Sequence, residues 1–177
     1  MLPISDLPSA SERKVPSPGG QAAALLGFLG LSMAAWIVAS VPIILNSTGW
    51  FAASVKAPWM PPGWMFRSMW ILLYAAVALA AWLVWRRQAL RGSTLWWYAA
   101  QLLFNAAWPL TFFGLYPLIG TAALWGALVV IAGLGVSVGF LVVRFGPVSA
   151  TAGLLMLPYL SWVIYSFSLN LFSALHN

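Results

Sequence analysis

The sequence predicts an all-α integral membrane bundle of five transmembrane helices. Three observations carry that reading. Hydrophobic residues make up 63% of the 177-residue chain and charged residues only 6%, against roughly a quarter charged in a soluble domain. The apolar residues fall into five stretches, each near the ~20 residues a helix needs to cross ~30 Å of hydrocarbon. The chain's only carboxylate side chains, Asp6 and Glu12, precede the first of these stretches.

Residues 1–20, MLPISDLPSASERKVPSPGG, are rich in Pro, Ser and Gly and read as a disordered N-terminal tail, leaving 21–177 as the transmembrane domain. Arg13 and Lys14 ahead of an apolar run also fit a secretory signal. That run is longer than a signal core, however, and carries Trp36 on a patterned face. The spans are expected at about 22–46, 65–85, 94–115, 118–143 and 147–174. No charge occurs between Arg91 and Arg144, so two spans must fit there, and Tyr116-Pro117 is the break between them. Short links and one longer first loop give a compact bundle.

Orientation follows from the cations. Arg13, Lys14, Arg86, Arg87, Arg91 and Arg144 fall on one side, and only Lys56 and Arg67 on the other. This puts the N-terminus inside and the C-terminus outside. A basic inner face without a clear signal favours a bacterial cytoplasmic membrane. No internal repeat supports an inverted-repeat transporter plan.

Composition also excludes chemistry. From Lys14 onward there is no Asp or Glu, there is no Cys, and His176 is the lone histidine. Carboxylate acid/base pairs, thiol or zinc sites and Asp/Glu proton relays are therefore absent. No motif requires a cofactor or a metal. The +6 net charge forms no basic stripe, so nucleic acid is not an expected partner; lipid is.

Polar residues inside apolar spans need a reason. Trp97, Gln101, Asn105 and Trp108 recur at helical spacing on the third span and share a face. Pro158, Trp162, Ser166 and Asn170 repeat the pattern on the fifth. Trp70 and Tyr74 lie one turn apart on the second span, and Ser32, Trp36 and Ser40 on the first. Counting along each helix at about 1.5 Å per residue puts Asn105 roughly 16 Å above the inner side, Trp36 and Trp162 at similar or greater heights, and Trp70 about one turn below the outer end of its span. The pattern describes a cavity in the outer half of the bundle, lined by Trp36, Trp70, Tyr74, Gln101, Asn105, Trp108, Trp162 and Ser166.

Plainer readings stand beside this one. Trp59, Trp64, Trp82, Trp85, Trp96 and Trp97 lie near span ends, where an interfacial belt is the default. Gln101 and Asn105 read equally as interhelical hydrogen-bond glue. Gly135 and Gly139 form a GxxxG, which more often marks packing within a bundle than a dimer seam. Lys56 and Arg67 read as snorkelling cations or as ligand contacts.

The first loop is unusual. KAPWMPPGWMFRSMW, residues 56–70, sets three prolines, three tryptophans and two cations directly ahead of a helix. Trp50, Lys56, Pro58, Trp59, Pro61, Pro62 and Arg67 are read as a proline-stiffened lid over the cavity mouth.

These segments have a family likeness. The "W…K.PW.PPGW.F…W.LLY" of residues 50–74, "YAAQLLFN..W" of 98–108 and "PYLSW…S.SLN" of 158–170 resemble, in order, the translocator protein / tryptophan-rich sensory protein (TspO/MBR) family. The likeness runs from about residue 22 to 175. It implies a five-helix bundle, often a homodimer, that binds porphyrins such as protoporphyrin IX, or haem-like tetrapyrroles, and hydrophobic drug-like ligands. It further implies that Trp70, Asn105 and Trp162 are pocket residues, with Trp70 and Trp162 matching tryptophans linked to light-dependent porphyrin breakdown. Ser166 stands where the family usually has Ala. The chain departs from the pattern at Lys56-Ala57-Pro58, where Pro normally follows Lys directly, and at its C-terminal LNLFSALHN, which lacks a sterol-recognition Tyr and cation. The expected function is a membrane tetrapyrrole-binding sensory or regulatory protein. A transporter of porphyrins or other amphiphiles is the alternative, and a light-dependent porphyrin-degrading enzyme the second.

Overall fold

The computed structural model describes residues 17–177, so the expected tail falls outside it for residues 1–16. Helix α1 runs Pro18–Asn46. Ser17 caps it, its hydroxyl accepting the Gly20 N–H at 3.2 Å, and Pro18 fills the first turn, where no N–H is needed. The helix thus begins at Pro18, within the last residues of the stretch read as tail. The expected first loop contains a short helix α2, Trp50–Ala53. Helix α3, Gly63–Arg86, buries a face of small residues, among them Ala78, Ala80 and Ala81.

Helix α4, Ser93–Pro109, passes into a π-helical turn at Leu110–Gly114. Pro109 supplies the cause. It has no N–H for the Asn105 carbonyl and its ring crowds that group, so the backbone widens. The Leu115 N–H then reaches back five residues to the Leu110 carbonyl at 3.1 Å. Tyr116-Pro117, expected as the break, is instead the start of a short helix α5, Tyr116–Ile119. The reversal comes at Gly120, whose φ of 61° is a left-handed conformation open to glycine. Helix α6 spans Thr121–Phe145 and helix α7 Ala150–His176. At their junction a methyl group on Gly153 would lie 2.8 Å from Gly146 Cα, so this crossing needs glycine at 153.

Among the described residues four helices, α1, α3, α6 and α7, are long and apolar enough to cross a membrane. The chain is an all-helical, multi-pass membrane protein. The stretch expected as the third span is divided between α4 and its π turn. Packing closes the helices into a ring in the order α1, α3, α7, α6, α4 and back to α1. The core is densest between α6 and its neighbours, where Leu124, Ile131, Leu134, Val138, Leu141 and Phe145 are fully buried. By contrast α1 buries only Ser32, Ala39 and Pro42.

Five helices in a closed ring cannot all alternate in direction. The α1/α4 pair runs parallel: Phe28 near the start of α1 packs on Tyr98 near the start of α4, centroids 5.8 Å apart, and Trp50 beyond α1 stacks on Tyr116 beyond α4 at 3.8 Å. One end of the bundle carries Arg86, Arg87, Arg91 and Arg144. The first loop, Gly120 and Asn177 gather at the other.

Candidate ligand-binding site

The parallel seam does not close. Between α1, α3 and α4 lies a cavity of about 210 Å³ lined by Trp36, Ala39 and Ser40 of α1, Phe66, Trp70 and Tyr74 of α3, and Asn105 and Trp108 of α4. A second cavity of about 340 Å³ lies under the first loop, against Phe51, Lys56, Met60, Pro61, Phe112 and Asn170. Ile43, Ile44, Phe66, Arg67 and Trp108 line both, so the two chambers are neighbours. The larger chamber falls within the range of about 300–1,000 Å³ usual for drug-sized ligands, and the smaller extends it.

The polar floor is a hydrogen-bonded chain across three helices. Tyr74 OH donates to Asn105 Oδ1 at 2.8 Å, Asn105 Nδ2 donates to Tyr159 OH at 2.5 Å, and Tyr159 OH donates to Gln101 Oε1 at 2.9 Å. This fixes the Asn105 amide with its carbonyl toward α3 and its NH2 toward α7. A second link holds Trp108: its indole N–H donates to Asn170 Oδ1 at 2.9 Å, and Asn170 Nδ2 donates to the Leu124 carbonyl at 2.9 Å. Aromatic rings continue the wall, with Trp70 5.9 Å from Trp108 and 6.2 Å from Phe66. The indole N–H of Trp70 is buried and has no hydrogen-bond partner among the described residues. A donor in that state costs stability unless something answers it.

The loop is tied down at three points. Trp50 donates its indole N–H to the Phe113 carbonyl at 3.1 Å, serving a carbonyl in the π turn. The Asn177 side chain pairs with Val55, accepting its N–H at 2.7 Å and donating to its carbonyl at 3.2 Å. Trp59 donates to Ser168 Oγ at 3.2 Å, accepts the Tyr165 hydroxyl on its own carbonyl at 2.5 Å, and sets its ring edge against Phe172. Lys56 is spent on the loop itself. Its ammonium donates to the carbonyls of Phe51, Ala52 and Ser54 and lies 4.7 Å over the Phe51 ring, closing the end of α2.

The sequence profile of the TspO/MBR family matches residues 23–175. The chain belongs to that family. It is 31% identical over 170 residues to the translocator protein of Ovis aries, covering 93% of this chain and 86% of the relative. It is 33% identical over 127 residues to the Bos taurus translocator protein, covering 68% and 70%. To the tryptophan-rich sensory protein of Cereibacter sphaeroides it is 32% identical over 143 residues, covering 81% and 86%.

Among the expected pocket residues, Trp36, Trp70, Tyr74, Asn105 and Trp108 meet at the smaller cavity. Others stand back from it. Gln101 is fully buried behind Tyr159 and does not line either cavity. Trp162 is screened by Phe66, its ring 5.7 Å away, and its indole N–H and the hydroxyl of Ser166 are buried without hydrogen-bond partners among the described residues. Of the loop residues, Lys56, Pro61 and Arg67 line cavity wall, while Trp50 and Trp59 fasten the loop. Pro58 and Pro62 are exposed and act through backbone stiffness. Trp97 turns away to pair with Phe140 at 4.9 Å.

Several site residues escape sequence reasoning, Tyr159, Phe66, Ile43 and Ile44 among them. Tyr159 is the hub of the polar chain, and the expected face of the fifth span is shifted by one: Pro158 is exposed, and Tyr159 joins Trp162, Ser166 and Asn170. The three- and four-residue spacing from Tyr159 to Asn170 was the available signal. Phe66 and Ile44 line both chambers, but in a chain this apolar nothing sets them apart.

Proposed function

We propose that the protein is a five-span membrane receptor for a tetrapyrrole of the porphyrin class, acting as a sensory or regulatory binding protein. The observation that carries this reading is the pair of adjoining chambers, walled by indole and phenyl rings and floored by the Asn105 amide. A flat apolar macrocycle gains from stacking on such faces. The unanswered N–H of Trp70 and the Asn105 carbonyl group offer a pyrrole or carbonyl edge a hydrogen-bond partner. Relatives named translocator protein and tryptophan-rich sensory protein support the class.

The fifth crossing in this reading is α4 with its π turn, continuous from Ser93 to Gly114 and about 30 Å long. The arginine-rich end faces the cytoplasm of a bacterial cell and the lid faces outward, as the asymmetry of Arg86, Arg87, Arg91 and Arg144 favours. The lid then meets guests from the outer leaflet or the outer aqueous side.

The test is a fluorescence titration of detergent-solubilised protein with protoporphyrin IX. Saturable quenching of tryptophan emission is expected, weakened at least tenfold by Trp70→Ala with Asn105→Ala. Unchanged affinity in that double variant, with its helical circular dichroism intact, discards the pocket assignment.

A further inference from the structure

Two cations stand at the mouth of the chambers, and the structure treats them differently. Lys56 places all three ammonium protons on loop carbonyls, which is its whole donor capacity. Arg67 lines both chambers and makes no hydrogen bond or ion pair with any described residue. It sits three residues before Trp70, on the same side of α3. No Asp or Glu side chain exists beyond residue 12 to neutralise it. The guanidinium therefore presents its fork of five N–H donors beside an aromatic cavity without an acceptor among the described residues.

We infer that Arg67 is a specificity-determining residue that takes the carboxylate of an amphipathic acid whose apolar body fills the chambers. The inference rests on the porphyrin-class reading and narrows it, since it selects acids over neutral guests of the same shape. The chemistry is a bidentate, charge-assisted pair at the edge of an apolar medium, where such pairs are stronger than in water. Asn105 and Trp70 then orient the ring while Arg67 fixes which end points outward. The phosphate of an anionic lipid offers Arg67 the same chemistry. The position of Arg67 on the wall of both chambers favours a carboxylate carried by the guest.

The test compares protoporphyrin IX with its dimethyl ester, titrated into the full-length protein in a neutral maltoside detergent. The wild type is expected to bind the acid about tenfold more tightly than the ester. Arg67→Gln is expected to bind the two alike, with the wild-type affinity for the ester, which also shows that the variant is folded. Arg67→Lys should retain part of the preference, because it keeps the charge and loses the fork. Equal binding of acid and ester by the wild type overturns the anchor and leaves the pocket standing. Failure of the wild type to bind either compound overturns the pocket reading itself. Loss of the acid preference when phosphatidylglycerol is added, with ester binding unchanged, assigns Arg67 to a lipid headgroup and overturns the inference.

Discussion

Replacing Asn105 with Leu tests whether the polar floor is an energetic unit. The side chain is 3% exposed and makes two bonds, accepting from Tyr74 OH and donating to Tyr159 OH. Leu keeps the bulk and removes both. Tyr159 retains Gln101 as its acceptor, but Tyr74, itself 5% exposed, loses its only acceptor. A stranded buried hydroxyl costs about 1–3 kcal/mol, and a lost interhelical bond in a membrane protein about 0.6 kcal/mol. The expected destabilisation is about 2–3 kcal/mol, or roughly 5–10 °C in the melting temperature of a chain this size. Adding Tyr74→Phe removes the stranded group as well. Apolar replacement of both partners is nearly neutral, so the double variant should recover at least half of the loss. The measurement is a double-mutant cycle by thermal circular dichroism in detergent. If the two losses simply add, the tyrosine and the amide are not coupled and the floor is a coincidence of packing.

Other expectations follow from single contacts. Gly153→Ala sets a methyl group 2.8 Å from the Gly146 backbone, where no flexible side chain can yield, and should cost about 1–3 kcal/mol by the same melt. Gly133→Ala, whose methyl meets the Phe104 ring at 3.0 Å, should cost less because a ring can shift. Lys56→Met strips the donor from three carbonyls and should speed amide exchange in residues 51–56 about tenfold, leaving the acid-over-ester ratio unchanged. Trp108→Phe leaves Asn170 Oδ1 without a donor and should lower stability by about 1–2 kcal/mol.

What the sequence revealed about this fold follows from how lipid constrains helices. Apolar length marks the spans, because every backbone polar group in hydrocarbon must be satisfied within the segment. Proline position is less direct. Pro42, Pro109 and Pro158 lie inside helices here, and only Pro109 is followed by a π turn. The smaller site was legible where a polar or indole side chain interrupts an apolar face, as at Trp36, Trp70, Asn105 and Trp108. It was not legible where depth along the helix agrees but screening intervenes. Trp162 has the right level and family match, yet Phe66 stands between it and the chambers. Likewise the lid residues share one loop but divide their work. A sequence cannot tell that Lys56 turns back on its own chain while Arg67 does not.

The place of the cavity has a topological cause. Around a ring of five antiparallel-connected helices one seam must join two helices running the same way, and no short link can staple that seam. Here it is α1 against α4, and α1 brings the poorest packing surface of the ring, with Ala39 and Ser40 facing the indoles of α3 and α4. Small residues opposite large rings leave volume, and the nearby loop, fastened at Trp50, Val55 and Trp59, covers it rather than filling it. A guest in that volume supplies the contacts that α1 lacks. Binding at a hundred times the dissociation constant adds about 2.7 kcal/mol to the stability of the bound state. That gain should appear first as slower amide exchange along α1, while α6, whose inner face is already fully buried, changes least.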